Sequence, residues 1–184
     1  MGKVVKKAST LLYPVPAVLV SCGTGERANI ITLAWVGVLC SDPPLLGIGV
    51  RPSRYSHGLL QEYGEFVVNL PRTDQAERVD YCGMVSGRNV DKWAACGFTR
   101  GEPSRVQTPI ISECPVNVEC RVQRVLSLGS HDLFVGEVLA VQMDEVVLDS
   151  DGALDMGLAE PLAFGNREYR RVGERIGTFG YSRK

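Results

Sequence analysis

Gly23-Thr24-Gly25-Glu26-Arg27-Ala28, running straight into Asn29-Ile30-Ile31-Thr32-Leu33, is the stretch that decides the fold. The first six residues fit G-x-G-x-x-A and follow an apolar run, residues 17–22, that reads as a buried strand. By spacing alone this is the phosphate-binding turn of an α/β protein, but that turn requires a helix behind it. Residues 29–33 are instead rich in β-branched side chains, which favour a strand. A hairpin turn between two strands satisfies both flanks, and the chain reads as mainly β.

The pattern continues outward on both sides. Further strands are expected at 29–39, 45–50, 65–70, 116–128 and 133–143. The third of these six is entered through Asp42-Pro43-Pro44 and the fourth is stopped by Pro71; the last two are joined by Gly129-Ser130-His131-Asp132. Short strands bounded by Gly and Pro define a barrel or a sandwich. Three helices interrupt them. The first is expected from the N-cap type residue Ser53 to about Tyr63, with Tyr55, Leu59 and Tyr63 on one face. The second starts near Thr73, and the third spans 90–96 with Trp93 buried. Residues 100–108 read as a surface loop. The tail after Pro161, with Arg167, Arg170, Arg171 and Arg175, reads as a solvated face.

Composition narrows the class. The chain has 184 residues, of which 45% are hydrophobic and 22% charged, so one domain over 1–184 with a sizeable core is expected. A net charge of −1 leaves no basic excess to neutralise a nucleic acid. Cysteines stand at 22, 40, 82, 96, 114 and 120 without a C-x-x-C pair, and the only histidines are His57 and His131. A closed metal site is not expected, and free thiols on this scale point to the reducing cytoplasm. Lys3, Lys6 and Lys7 followed by Leu19-Val20-Ser21-Cys22 imitate a lipoprotein leader. Pro14 and Pro16 break the apolar run too early for one. No stretch is long enough for a membrane helix, and no membrane partner is expected.

Arg51-Pro52-Ser53-Arg54-Tyr55-Ser56 is the strongest chemical signal. It joins a strand to a helix, and the free N–H groups of a helix start favour an anion. Two guanidinium groups and two hydroxyls suit a single phosphate group. A capped helix with solvated arginines fits the same spacing. No Ser/His/Asp set stands at a hydrolase spacing.

The ordered series of motifs resembles the flavin reductase-like family, and its flavoredoxin branch in particular. The series comprises 29–35 with Cys40-Ser41-Asp42-Pro43-Pro44, 51–57, Glu65-Phe66-Val67-Val68-Asn69-Leu70-Pro71, Ser86-Gly87 with Asp91-Lys92-Trp93, 115–120 and 129–138. The resemblance implies an FMN-binding split β-barrel that works as a homodimer, with the flavin at the subunit interface. It implies that Asn29, Thr32 and the Ala34-Trp35 backbone line the flavin, and that Arg51, Ser53, Arg54 and Ser56 hold its phosphate. Asn69 and Pro71 are then expected near the ring, with Lys92 reaching the flavin. His131 is expected where a nicotinamide or other electron partner approaches, and Cys40 near the ring. The implied chemistry is electron transfer from NADH or NADPH through the flavin to a small-molecule or protein acceptor, as in a flavin or ferric reductase. A non-enzymatic FMN electron carrier and a cofactor-free interaction module are the alternatives.

Overall fold

The computed structural model describes residues 2–183. In chain order its elements are β1 (Val15–Pro16), β2 (Val18–Cys22), β3 (Asn29–Leu33), β4 (Val36–Ser41), β5 (Pro44–Val50), α1 (Tyr55–Tyr63), β6 (Glu65–Leu70), α2 (Ala76–Met84) and α3 (Lys92–Cys96). There follow β7 (Arg100–Gly101), β8 (Ile110–Ile111), β9 (Val116–Ser127), β10 (Asp132–Met143), α4 (Met156–Ala159), β11 (Leu162–Gly165) and β12 (Glu168–Arg171).

Seven strands form one antiparallel sheet in the order β3-β2-β6-β9-β10-β5-β4. The two edge strands, β3 and β4, are neighbours in the chain. The sheet therefore curls round until its edges approach, yet they do not pair, and the barrel stays split there. The expected single strand over 29–39 is two strands. β2 accompanies the chain only as far as Leu33, opposite Val18, and β5 takes it up from Val36, opposite Ile48. Ala34 and Trp35 make the crossing, where the Trp35 carbonyl accepts from the Gly49 amide.

β2 explains how one strand serves two cores. Val18, Val20 and Cys22 point into the barrel with Ile48, Phe66, Cys120 and Phe134. Leu19 points the other way, into a layer formed with Ile30, Val79, Cys82, Trp93 and Leu162. Side chains alternate across a strand, so a strand apolar on both faces is covered on both. Gly136 lies where β10 crosses the barrel; a Cβ there would stand 2.6 Å from the Phe66 ring. Glu119 on β9 is fully buried, and its carboxylate accepts from the amides of Ser104, Arg105 and Val106, from the Ser104 hydroxyl and from Gln142 Nε2. This pins the surface loop expected at 100–108 to the sheet.

One expectation is corrected and one is extended. The Arg51 carbonyl accepts from the Arg54 amide, so residues 51–54 form a closed turn and Ser53 lies inside it. The N-cap is Arg54, without a side-chain cap, and the helix begins at Tyr55. The tail arginines do form a solvated face, and residues 162–171 beneath them add strands that the sequence reading did not include. β11 and β12 form a hairpin that β1 extends to three strands, because Leu162 and Phe164 supply an apolar face that packs on α2 and α3. Among the described residues no helix is long and apolar enough to cross a membrane.

Candidate functional site

The free edge of β3 borders a groove. Its first part, a cavity of about 200 Å³, lies between Asn29 and Ile31, the start of α1 (Ser53 to Ser56) and the segment after α2 (Ser86, Gly87, Arg88). Its second part, about 400 Å³, is lined by Thr32, Leu33, Ala34, Met84, Phe164 and Arg167 among others, and Gly83 belongs to both. A Cβ at Gly83 would stand 3.3 Å from Thr32 Cβ. At Gly87 it would stand 2.1 Å from Asn29 Oδ1. Glycine at 87 is what allows the two walls of the cavity to close in.

Cations dominate the narrower end. Lys92 is only 3% exposed, and its ammonium donates to the carbonyls of Ile30 and Cys82 at 2.8 and 2.6 Å. Among the described residues no carboxylate pairs with it. Burial holds its pKa below the ordinary lysine value, and Arg54 adds to that depression. Arg88 stacks over Tyr55 and donates to the Ser53 carbonyl. Among the described residues Arg54, Arg88 and Lys92 form no ion pair. Asn29 Nδ2 donates to Ser56 Oγ at 2.8 Å, which fixes that hydroxyl against the strand. The Cys82 thiol in the cavity wall is pushed up to about 12 by burial and by Cys96 beside it, so it stays protonated and adds no negative charge.

The start of α1 is locked from behind. His57 Nε2 and Asp132 Oδ2 are 2.7 Å apart and both groups are largely buried. Asp132 also accepts from Ser127 Oγ at 2.9 Å. These two bonds, His57 first, hold the Asp132 carboxyl below the usual carboxylate range. The pair ties the helix carrying Ser56 to the first residue of β10.

A third cavity, about 350 Å³, lies past the β3–β4 crossing and is mostly apolar, with Trp35, Leu39, Leu128 and His131 in its walls. The rings of Trp35 and His131 meet edge to face at 6.4 Å. His131 Nε2 faces Arg51 Nε at 3.4 Å and its Nδ1 lies 2.9 Å from Ser130 Oγ. Arginine can only donate, so Nε2 carries the lone pair and Nδ1 the proton. Burial and then Arg51 lower the His131 pKa.

The structure thus gathers Asn29, Thr32, Ala34, Ser53, Arg54, Ser56 and Lys92 along one groove. Arg51 is separated from them: the turn sends it toward His131. Trp35 stands at the far end, beside His131. Three further residues are not brought to the groove. Asn69 is fully buried between β2 and β9, donating to Leu19 and Val67 carbonyls and accepting from the Ile111 amide and Asn117. Its carboxamide is spent on joining strands. Pro71 is buried at the end of β6. Cys40 pairs opposite Leu45, four residues along β4 from Val36 and so about 13 Å from the His131 end. Its thiol faces the Asp42 carbonyl. Arg88 and Arg167 are the residues that sequence reading missed. The Ser86-Gly87 turn pointed to the first, and nothing in the spacing pointed to the second.

A seven-stranded barrel left open between two chain-adjacent strands, with a cationic groove along the opening, defines a flavoredoxin-type split barrel. The chain belongs to the flavin reductase like domain family, whose model matches residues 10–173. It is similar to the flavoredoxin of Desulfovibrio vulgaris (Miyazaki F), with 33% identity, full coverage of both chains and a TM-score of 0.93. The flavoredoxin of Methanosarcina acetivorans is 33% identical, with 99% and 97% of the two chains covered and a TM-score of 0.92. An FMN-binding protein of Thermus thermophilus, solved with bound 1-cyclohex-2-enone, is 31% identical over 97% of each chain, with a TM-score of 0.81.

Proposed function

We propose that the chain binds FMN in the groove along β3 and passes electrons from NADH or NADPH through it to an acceptor. The observation that carries this reading is the buried, acid-free Lys92 facing a cavity together with Arg54 and Arg88. A buried cation held only by neutral carbonyls is costly, and a dianionic phosphate supplies the missing counter-charge. Ser53, Ser56 and the first amides of α1 donate to the phosphate oxygens, and Asn29 keeps Ser56 in place. The second part of the groove, walled by Leu33, Ala34, Met84 and Phe164, suits the flat ring, and Thr32 borders it. The flavin supplies hydride and electron transfer, and the protein supplies binding, orientation and electrostatics. His131 and the Trp35 ring offer a wall where a nicotinamide or an acceptor docks, and burial together with Arg51 beside His131 Nε2 keeps the imidazole neutral.

The same reading includes a homodimer. Val38 is 78% exposed and Leu128 66%, and Leu39, Leu126 and Trp35 are also open to solvent around the His131 cavity. Contiguous apolar surface of this kind marks a binding face, and a second copy covering it would complete the walls of the site.

Purified protein is mixed with FMN and with FAD, separated from free flavin, and titrated with NADH and NADPH without oxygen. FMN uptake and loss of the oxidised flavin absorbance are expected. Uptake of FAD alone overturns the cofactor assignment. FMN uptake without reduction by either nucleotide would make the protein a carrier reduced by a protein partner.

A further inference from the structure

The hairpin between β11 and β12 carries an unexplained cost. Its loop has two residues, Asn166 and Arg167, with Gly165 opposite Glu168. Both loop residues have left-handed backbones, φ 52° and 67°. Such a two-residue turn favours Asn-Gly, because glycine takes the second left-handed position without a Cβ clash. Here an arginine holds it. The hairpin has no freedom to relieve the strain. Phe164 pairs with Val15, the Tyr169 hydroxyl donates to Asp80 Oδ1 at 3.1 Å, and Leu162 is buried under α2 and α3. A Cβ on Gly165 would stand 3.1 Å from Tyr13 Cβ.

Arg167 lines the second part of the groove, opposite Thr32 and Ala34. Asp80 lines it too, with Oδ1 occupied by Tyr169, and Arg167 forms no ion pair among the described residues. The other polar side chains of this part, Thr32 and Tyr169, are engaged with the Val79 carbonyl and with Asp80, and Leu33, Ala34, Met84 and Phe164 supply its apolar wall. A cation at the rim of such a slot fits a flat heterocycle with a polar edge. The other three groove cations lie at the opposite end, where a phosphate belongs.

We infer that Arg167 is the residue that binds the polar pyrimidine edge of the flavin ring, and that it favours the reduced, negatively charged ring over the oxidised one. This rests on the FMN reading given above. Strain at a left-handed position is retained at functional sites when the surroundings over-determine it, and here it keeps an exposed arginine at the rim of the slot.

The test is Arg167→Gly, which suits the turn and leaves thermal stability unchanged or higher. FMN and riboflavin affinities, measured by fluorescence quenching, should both fall about tenfold, because the lost bond is to the ring. If the reduced flavin loses about tenfold more than the oxidised one, the midpoint potential drops by about 30 mV. Arg167→Lys should recover part of each effect. Unchanged riboflavin affinity and potential in Arg167→Gly overturn the assignment, even where wild-type protein binds FMN. Wild-type protein that takes up no flavin overturns the FMN reading and this inference together.

Discussion

Replacing Arg54 by alanine separates ligand binding from folding, because the two respond with opposite sign. In the free protein Arg54 is a liability. It caps α1 without a side-chain bond, forms no ion pair, and depresses the pKa of the buried Lys92 beside it. Arg54→Ala therefore removes a like-charge repulsion and, among the described residues, no ion pair or side-chain hydrogen bond, and the melting temperature of the free protein should hold or rise. With FMN bound the same guanidinium would make charge-assisted bonds to the phosphate. Bonds to charged groups contribute about 1.5–3 kcal/mol, and tenfold in affinity is 1.4 kcal/mol. The exposed setting of Arg54 puts the expected loss in the lower part of a range of about 10- to 100-fold. Riboflavin lacks the phosphate, so its affinity should hardly change. Raising the salt concentration should weaken FMN in the wild type more than in the variant, since screening acts on the charge that was removed. The assay is titration of both flavins into both proteins, with a thermal melt of each apoprotein. Equal losses for FMN and riboflavin, or a fall in apoprotein stability matching the loss in affinity, would refute the phosphate assignment.

Glu119→Gln should destabilise the fold by about 3 kcal/mol, or roughly 6–12 °C for a chain of this size, because one amide oxygen cannot serve the donors the carboxylate holds. The hydrogen bonds hold the Glu119 pKa below its ordinary 4.5, against the effect of burial. Its contribution is therefore full above that value and is lost as the pH falls through the folded value. The gap between variant and wild type in denaturant melts should close in acid, and a gap that widens there would contradict the charge-based account. His131 should titrate below its ordinary 6.5, and Arg51→Ala should move it upward in an NMR pH series; no upward movement would remove Arg51 as a cause. Leu39→Lys should convert a dimer to a monomer in light scattering at low concentration, and a wild-type mass near 20.0 kDa would reject the shared face.

Much of this architecture could be read from the sequence, for physical reasons that differ by element. The β2–β3 hairpin was readable because β-branched residues directly follow the glycines. Trp93 was expected to be buried and is, donating its indole N–H to the Ala28 carbonyl. The break at Ala34-Trp35 was not readable, since nothing in the apolar run of 29–39 signals that its partner changes from β2 to β5. Ser53 misled because N-cap preference is local, whereas the turn closed by Arg51 and Arg54 decided where the helix begins. Arg51 looked like one more phosphate ligand for the same reason: adjacency in sequence says nothing about which side of a turn a side chain leaves. The arginines of the tail announce the solvated face they form, whereas the strands beneath them depend on Leu162 and Phe164 finding α2 and α3, which is a tertiary contact. Asn69 and Glu119 have saturated hydrogen-bond shells that depend on partners more than ten residues away, which no local pattern reveals.

The unpaired edge of β3 has a second side. A strand edge left open on a stable sheet invites another chain to add itself, and natural proteins blunt such edges with charge, above all with lysine. Here the Ile30 carbonyl on that edge is already held by the Lys92 ammonium, and the Thr32 hydroxyl is donated to Val79 on the helix alongside. That carbonyl and that hydroxyl are thereby spent inside the fold and are not offered to a second strand. A mutation of the buried amine would free the Ile30 carbonyl at an open edge and so threaten solubility.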